Sequence, residues 1–434
     1  MAIIPQLSLF SWNEIDSLGD LARLRLVLTS MPDEALLTRL HAHRGRRGRN
    51  DHPVRGMWNS LLAGVVFQHL SIESLRRELA RNAQLREMCG LLDIPSASAY
   101  TRFLQQLLRH TEELEAMFDH LVEALRETLP SFGEHLAIDS KAISSWANHP
   151  SKERESDGRR DLDANYGIKS YKGLHKDGKP WEKVVRWFGY KLHLVVDAVY
   201  ELPVAFSVTP ASKSDMPGAH DLLNQMQARQ PQMLRAAQTM AADKGYDDGK
   251  LITRLWDTYG IKPIIDLRRM WKDPDETRLL PRQTNVVYDQ TGAVYCYCPE
   301  TNVRREMACG GFEKDRGTIK KLCPAKQYGI LCAGQSQCPL ASGLRVPMNV
   351  DRRIFTPIDR ASYKWKRAYK KRTAIERVNS RLDVSFGFEV HTIRGKGKMQ
   401  MRCGLALCVM LAMALGRIQE KQNKLMRSLV RSVS

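Results

Sequence analysis

Several things that would place a chain quickly are missing here. No apolar run is long enough to cross a bilayer: the longest, Gly404–Gly416, spans 13 residues between Arg402 and Arg417, where about 18–20 are needed. It reads as a buried helix. Met1–Leu9 has neither a positive n-region nor a small-residue cleavage site, so no export signal and no membrane partner are expected. Acidic residues fall well short of basic ones, 48 against 67, leaving a net charge of +19. Paired CxxC knuckles are absent although there are nine cysteines. Without an export signal these sit in a reducing compartment, the cytoplasm, where metal ligation is favoured over disulfides.

What remains is an ordinary globular composition. The 434 residues, 43% apolar and 26% charged, suffice for two to four folding units. The basic excess calls for a polyanionic partner, and nucleic acid leads.

Residues 1–130 read as helical. WNSLLAGVVFQHL, SIESLRRELARN, SAYTRFLQQLLRH and EELEAMFDHLVEALRETL keep a 3.6-residue period, with Ser71 and Ser96 or Ser98 as N-caps and Pro130 as the stop. The segment around SASAYTRFLQQL has the look of a helix-turn-helix. Before it, the basic, glycine-bearing stretch His41–Gly56, with Arg46 and Arg47, either grips phosphates or is a solvated loop. From His135 the texture turns to strands: HLAIDSKAI, VVRWFGYKLHLVVDAVY and LPVAFSVTPA. Ser151–Lys183 reads as a long polar loop. A helix over 216–229, a strand TMAAD, a helix GKLITRLWDTYG and a strand KPIIDL follow. That order suggests three antiparallel strands extended by parallel ones through helical crossovers. Residues 270–350 hold six of the cysteines. Helical pattern returns over 362–385 and 399–422.

Two acids end apolar strands, Asp139 after Leu136-Ala137-Ile138 and Asp243 after Met240-Ala241-Ala242. An ionised carboxylate there costs several kcal/mol unless it is paired, binds a metal or reaches solvent. A third acid, Glu376, lies on a helix whose Tyr369, Arg372, Glu376, Asn379 and Asp383 share one stripe by 3-4-3-4 spacing. Arg352–Arg372 carries nine Lys/Arg and one Asp, a run whose self-repulsion a phosphodiester backbone would relieve. Two strand-end aspartates and one late-helix glutamate suit two hard cations, Mg²⁺ or Mn²⁺, roughly 4 Å apart, in phosphodiester chemistry.

With AIDSKAI, FGYKLHLVVD, ADKGYDD and YKKRTAIERVNSRL all present, the chain resembles the DDE-type transposases of bacterial insertion sequences, from about Trp58 to Gln419. The resemblance implies an α/β fold: a ribonuclease-H-like mixed sheet with flanking helices over 131–269 and 351–420. An all-α DNA-binding and dimerisation domain would precede it (1–130), a cysteine-rich insertion would interrupt it (270–350), and a basic tail would end the chain (421–434). It implies that Asp139, Asp243 and Glu376 hold two Mg²⁺ (or Mn²⁺). Tyr369 and Arg372 match the family's last-helix pattern, with Lys370, Lys371, Arg377 and Arg381 as further phosphate contacts; the family's lysine position is Asp383 here. The expected activity is cleavage at the element's ends and strand transfer of the 3′-OH into target DNA. The alternatives are a nuclease of the same fold or a non-catalytic DNA-binding derivative. Partners would be double-stranded DNA, terminal inverted repeats and target, and a second copy of the chain, in a bacterial, nucleoid-associated setting. Trp271 is a candidate to stack on a flipped base, against a packing role. Cys298, Cys323, Cys332 and Cys338, with Cys296 and Cys309 as alternates, would either hold a structural Zn²⁺ or stay reduced thiols. Cys89, Cys403 and Cys408 read as packing residues.

Overall fold

The computed structural model describes residues 19–43, 52–147, 160–175, 177, 179–273 and 275–429. Arg46 and Arg47 lie outside the described residues. The chain divides into two compact units, one built from the described parts of 1–132, 140–214 and 375–434, the other from 133–139 and 215–374.

Among the described residues the first unit opens on seven helices: α1 (Leu21–Ser30), α2 (Glu34–Ala42), α3 (Val54–Val66), α4 (Ile72–Arg81), α5 (Ala83–Cys89), α6 (Ala97–Leu107) and α7 (Thr111–Thr128). Ser71 Oγ accepts the Ser74 N–H at 3.1 Å, Asn82 Oδ1 that of Leu85 at 3.0 Å and Ser96 Oγ that of Ala99 at 3.2 Å. Each satisfies an N–H that a helix start leaves unpaired. Gly90, at φ +76°, closes α5 in the left-handed region. The link from Gly90 to Ser96 is seven residues, longer than the three- or four-residue turn of a helix-turn-helix.

Strands β1 (His135–Ser144), β2 (Asn165–Leu174), β3 (Pro180–Asp197) and β4 (Pro203–Pro210) follow. The loop expected over 151–183 is corrected here: β2 and the start of β3 pair antiparallel from Asn165↔Gly189 to Leu174↔Pro180. NYGIKSYKGL has glycines and lysines where a half-buried strand would alternate apolar residues, so its strand character comes from pairing rather than from burial. Farther along, β3 pairs with β4 from Tyr190↔Pro210 to Val196↔Pro203. Gly189 is required where β3 nears β1, since a Cβ there would lie 2.2 Å from the Ile143 carbonyl oxygen.

The second unit holds α8 (Asp215–Arg229), α9 (Pro231–Ala236), β5 (Thr239–Ala242), α10 (Gly249–Thr253) and β6 (Lys262–Ile265). Together the larger sheet runs β2-β3-β1-β5-β6, with β4 on β3; the β1–β5 and β5–β6 pairs are parallel, as the sequence order suggested. Beyond them lie two small antiparallel sheets. One is β7 (Thr277–Leu279), β8 (Val286–Asp289), β9 (Val294–Tyr297) and β10 (Arg304–Glu306). The other is β11 (Ala308–Glu313), β12 (Thr318–Leu322) and β13 (Leu344–Pro347), with a short α11 (Pro324–Tyr328) after β12. They share a core of Leu280, Val286, Val294, Ile319, Val346 and Phe355.

Three helices end the chain: α12 (Tyr363–Lys370), α13 (Thr373–Phe386) and α14 (Lys396–Gln419). The single helix expected over 362–385 is therefore broken. Lys371 and Arg372 N–H groups bond back three residues, to Ala368 and Tyr369 carbonyls at 3.1 and 3.0 Å. This tight turn comes where three cations in succession, Lys370-Lys371-Arg372, crowd one end, and where Thr373 Oγ1 takes the Lys370 carbonyl at 3.1 Å. Among the described residues α14 alone is long and apolar enough to cross a membrane, yet 89% of its apolar window is buried inside the protein. It packs on α1, α3, α7 and β4, and so draws the N-terminal helices into the first unit.

Candidate active site

The second unit places three aspartates in a row. Ile138 pairs with Ala242, and Ala242 with Ile265. Asp139, Asp243 and Asp266 each stand one residue past these last pairs, on neighbouring parallel strands spaced about 4.8 Å apart. The cause is local: the residues just before each aspartate are apolar, with Ala137, Ala242, Ile264 and Ile265 fully buried, and the carboxylate comes where the parallel pairing stops. Asp266 was missed by sequence reasoning, although KPIID carries the same signal as LAID and MAAD.

All three aspartates are half-buried. Asp243 Oδ1 accepts the Gly245 N–H at 2.7 Å, so one oxygen caps the following turn. Asp266 Oδ1 accepts the Leu267 N–H at 2.9 Å.

Helix α12 packs on β5 and β6, which brings Tyr369 toward the aspartates. Burial, then the charges of Asp266 and Asp243, hold its phenol above the usual range, although Arg372 pulls the other way. Its ring stacks on Trp365 at 4.9 Å and 10°, with the Arg372 guanidinium 5.7 Å from its centroid. Of the basic run, Arg353 pairs with Asp247 (3.0 Å from Nε) and Arg352 with Asp257. Arg360 is buried against the carbonyls of Ile265, Arg353 and Ile354, and burial lowers its pKa to about 10. Local partners thus relieve part of the repulsion expected of this run. Lys364, Lys366, Arg367 and Lys370 remain on the surface.

Glu376 falls in the first unit, exposed in the first turn of α13, and the break at Lys371–Arg372 takes Tyr369 and Arg372 off its helix. Farther along α13, Lys141 Nζ donates to Asp383 at 2.6 Å, so an ammonium from β1 neutralises the acid at the lysine position of the resemblance. Arg377 Nε donates to Glu201 Oε1 at 2.7 Å, and Arg381 binds the Glu201 carbonyl and carboxylate, joined there by Arg427. Burial lowers the Arg381 pKa to about 10. These two guanidiniums hold Glu201 rather than standing open as phosphate contacts.

Trp271 packs edge-on to Tyr288 at 5.9 Å, with the Arg278 guanidinium 4.1 Å above its ring. Five cysteines, Cys296, Cys298, Cys323, Cys332 and Cys338, line one small cavity with Arg305. Cys298 is pulled down to about 6 by hydrogen bonds from the Thr301 hydroxyl and from backbone N–H groups of Thr301, Gly334 and Glu300. Cys309 is exposed on β11, and Cys89, Cys403 and Cys408 are buried among apolar residues. Among the described residues, no three His, Cys, Asp or Glu side chains are placed to hold a metal ion as they stand.

Among curated proteins none matches this chain. A solved structure of a piggyBac transposase synaptic complex with hairpin DNA is similar at a TM-score of 0.39 and 10% identity, over 95% of this chain and 80% of that one. Two protein families match in sequence: the transposase domain DUF772 over residues 13–106, and the transposase DDE domain over residues 130–412. The second spans well over half of the 434 residues and includes all the strand-end aspartates, so the chain belongs to the DDE-domain transposases.

Proposed function

We propose that the chain cleaves DNA at the ends of a bacterial insertion sequence and joins the freed 3′ end to target DNA. The observation that carries this is the register: Asp139 and Asp243 each stand one residue past the last pair of the neighbouring parallel strands β1 and β5, inside the DDE match. Asp139, Asp243 and Glu376 would hold two Mg²⁺ or Mn²⁺; their oxygens are the hard donors these ions prefer. When bound, such ions acidify the attacking oxygen and offset charge on the phosphate. In the first step a water oxygen attacks phosphorus at the element end, the P–O3′ bond breaks, and the departing oxygen takes a proton. In the second, that 3′-hydroxyl loses its proton as it attacks a target phosphorus, the target's P–O3′ bond breaks, and the departing oxygen takes a proton. Tyr369, kept protonated, donates to a phosphate oxygen beside the aspartates, and Arg372 adds charge. The mixed α/β sheet with parallel β1, β5 and β6 supports a ribonuclease-H-like catalytic fold with 270–350 as its insertion. The five cysteines lining one small cavity support a structural Zn²⁺ there, which elemental analysis of the purified protein tests. A protein of this kind acts on the bacterial nucleoid, as a dimer bridging two ends.

The test is incubation of labelled element ends with a target plasmid and Mn²⁺. Joined product supports the reading. Cleavage without joining leaves a nuclease, and neither product under any divalent ion overturns it.

A further inference from the structure

Strand β3 changes character halfway along. Its first seven residues, Pro180–Arg186, are all exposed, whereas Tyr190–Asp197 are almost entirely buried. The pairing explains this. Strand β4 begins on β3 at Tyr190, and the contact with β1 ends near Phe188, where the Ser145 N–H meets its carbonyl at 2.8 Å. Outward from there β3 has β2 alone, so a two-stranded ribbon of eight residue pairs, Gly167↔Trp187 to Leu174↔Pro180, leaves the sheet for roughly 26 Å.

A bare two-stranded ribbon is marginal in water, and this one is reinforced on one face. Gly167 lies opposite Trp187 and Gly173 opposite Trp181. A Cβ on either glycine would come within 2.3 and 2.6 Å of the facing indole, so each ring lies flat over backbone that glycine leaves bare. The same face carries Lys169 beside Val185, and Lys183, both lysines exposed. It has no acid. Glu182, which accepts from Ser170, and Arg186 belong to the opposite face.

We infer that this ribbon is a DNA-gripping arm, its Trp181–Lys183–Val185–Trp187 face laid against the duplex. The inference rests on the transposase reading above and assigns part of its DNA contact. A two-stranded β-ribbon fits a major groove about 12 Å wide, the lysines meet phosphates, and the indoles and Val185 cover sugar and base edges. A second copy of the ribbon is the poorer occupant, because it would set lysines against lysines.

The experiment compares wild type with K169Q/K183Q and, on the opposite face, R186Q, by circular dichroism and by affinity for a random-sequence duplex from 50 to 300 mM salt. The expected result is unchanged folding and, for the double variant, a slope of log affinity against log salt shallower by roughly 2, with binding at least about ten-fold weaker at 0.1 M salt. R186Q keeps the wild-type slope. If wild type binds the duplex and the double variant matches it, or R186Q loses as much, the arm is refuted while the transposase reading stands. If wild type fails to bind any duplex, that reading itself fails. If the double variant changes only the oligomeric state without DNA, the face meets a second copy and the assignment is overturned.

Discussion

The parallel strands β1, β5 and β6 and the ribbon of β2 and β3 use the same backbone geometry for opposite ends. The parallel strands are apolar over most of their paired residues, and each places an aspartate one residue past its last parallel pair. The ribbon carries cations, glycines and aromatics, and most of its described residues are exposed. A buried strand end fixes a side chain within a fraction of an ångström, which suits bond-making. An exposed ribbon gives area and charge without fixed geometry, which suits holding a long polyanion. Chemistry and grip should then be separable by substitution.

The largest effect expected is at a strand end. Asp243→Asn should lower strand transfer by at least about 10³-fold, as when a group acting directly in the chemistry is removed, while affinity for duplex DNA in the absence of divalent ions changes little. A joining assay beside a binding isotherm checks both. Equal loss in the two would erase the contrast with the ribbon lysines. Asp266→Asn sharpens the comparison: a smaller loss than Asp243→Asn means the third strand end supports the field without holding the reacting groups.

Stability should show the same divide. Ile264 in β6 is fully buried, and Ile168 in β2 is 64% exposed. Truncating the first to alanine should cost about 2–5 kcal/mol through lost burial and a cavity. The same change at Ile168 should stay within about 0.5 kcal/mol. Urea unfolding of the two variants decides it, and a large cost at Ile168 would mean that something covers the ribbon.

The divide also explains what could be read from the residues alone. Asp139 and Asp243 were legible because an apolar run ending in an acid is a local pattern, and β1, β3, β4, β5 and β6 were legible because burial writes itself into hydrophobic periodicity. Asp266 has the same pattern in KPIID, but its strand, like the other two, becomes a neighbour only through the parallel pairing of β5 with β6. Strand β2 was hidden because its partner, not its own sequence, makes it a strand. The break between α12 and α13 was hidden because the 3.6-residue stripe continues through Lys371 and Arg372, where only the turn's own hydrogen bonds show the interruption. That Arg377 and Arg381 serve Glu201 is a long-range contact, 176 and 180 residues apart, which no spacing rule contains.

The root of the ribbon offers a finer test. Gly189→Ala drives a methyl into the Ile143 carbonyl and should cost about 1–3 kcal/mol, read from the urea midpoint. A smaller cost would show that β3 can shift away from β1 and that the ribbon's base is less fixed than its pairing suggests.

The smallest effect expected is a pH dependence at that same root. Asp161 is buried and accepts from Ser145 Oγ at 2.5 Å, Tyr190 Oη at 2.6 Å and the Gly395 N–H at 3.0 Å, which ties the end of β1, the buried start of β3 and the approach to α14 to one carboxylate. Burial alone would raise its pKa, but these donors outweigh it and hold the carboxyl below its usual value of 3.8. A carboxylate whose folded pKa is depressed stabilises fully above its unfolded pKa, and the contribution fades as the pH falls through the folded value. Asp161→Asn should therefore cost about 1–3 kcal/mol at pH 7, where it leaves buried donors facing an amide. The gap from wild type should hold steady down to about pH 5 and narrow below about pH 4, where the unfolded chain's carboxyl begins to protonate, closing as the pH falls through the folded value. Urea titrations at a series of pH values follow that gap directly. A gap that widened on acidification would mean that burial, not the three donors, governs Asp161, and that the ribbon is anchored by packing alone.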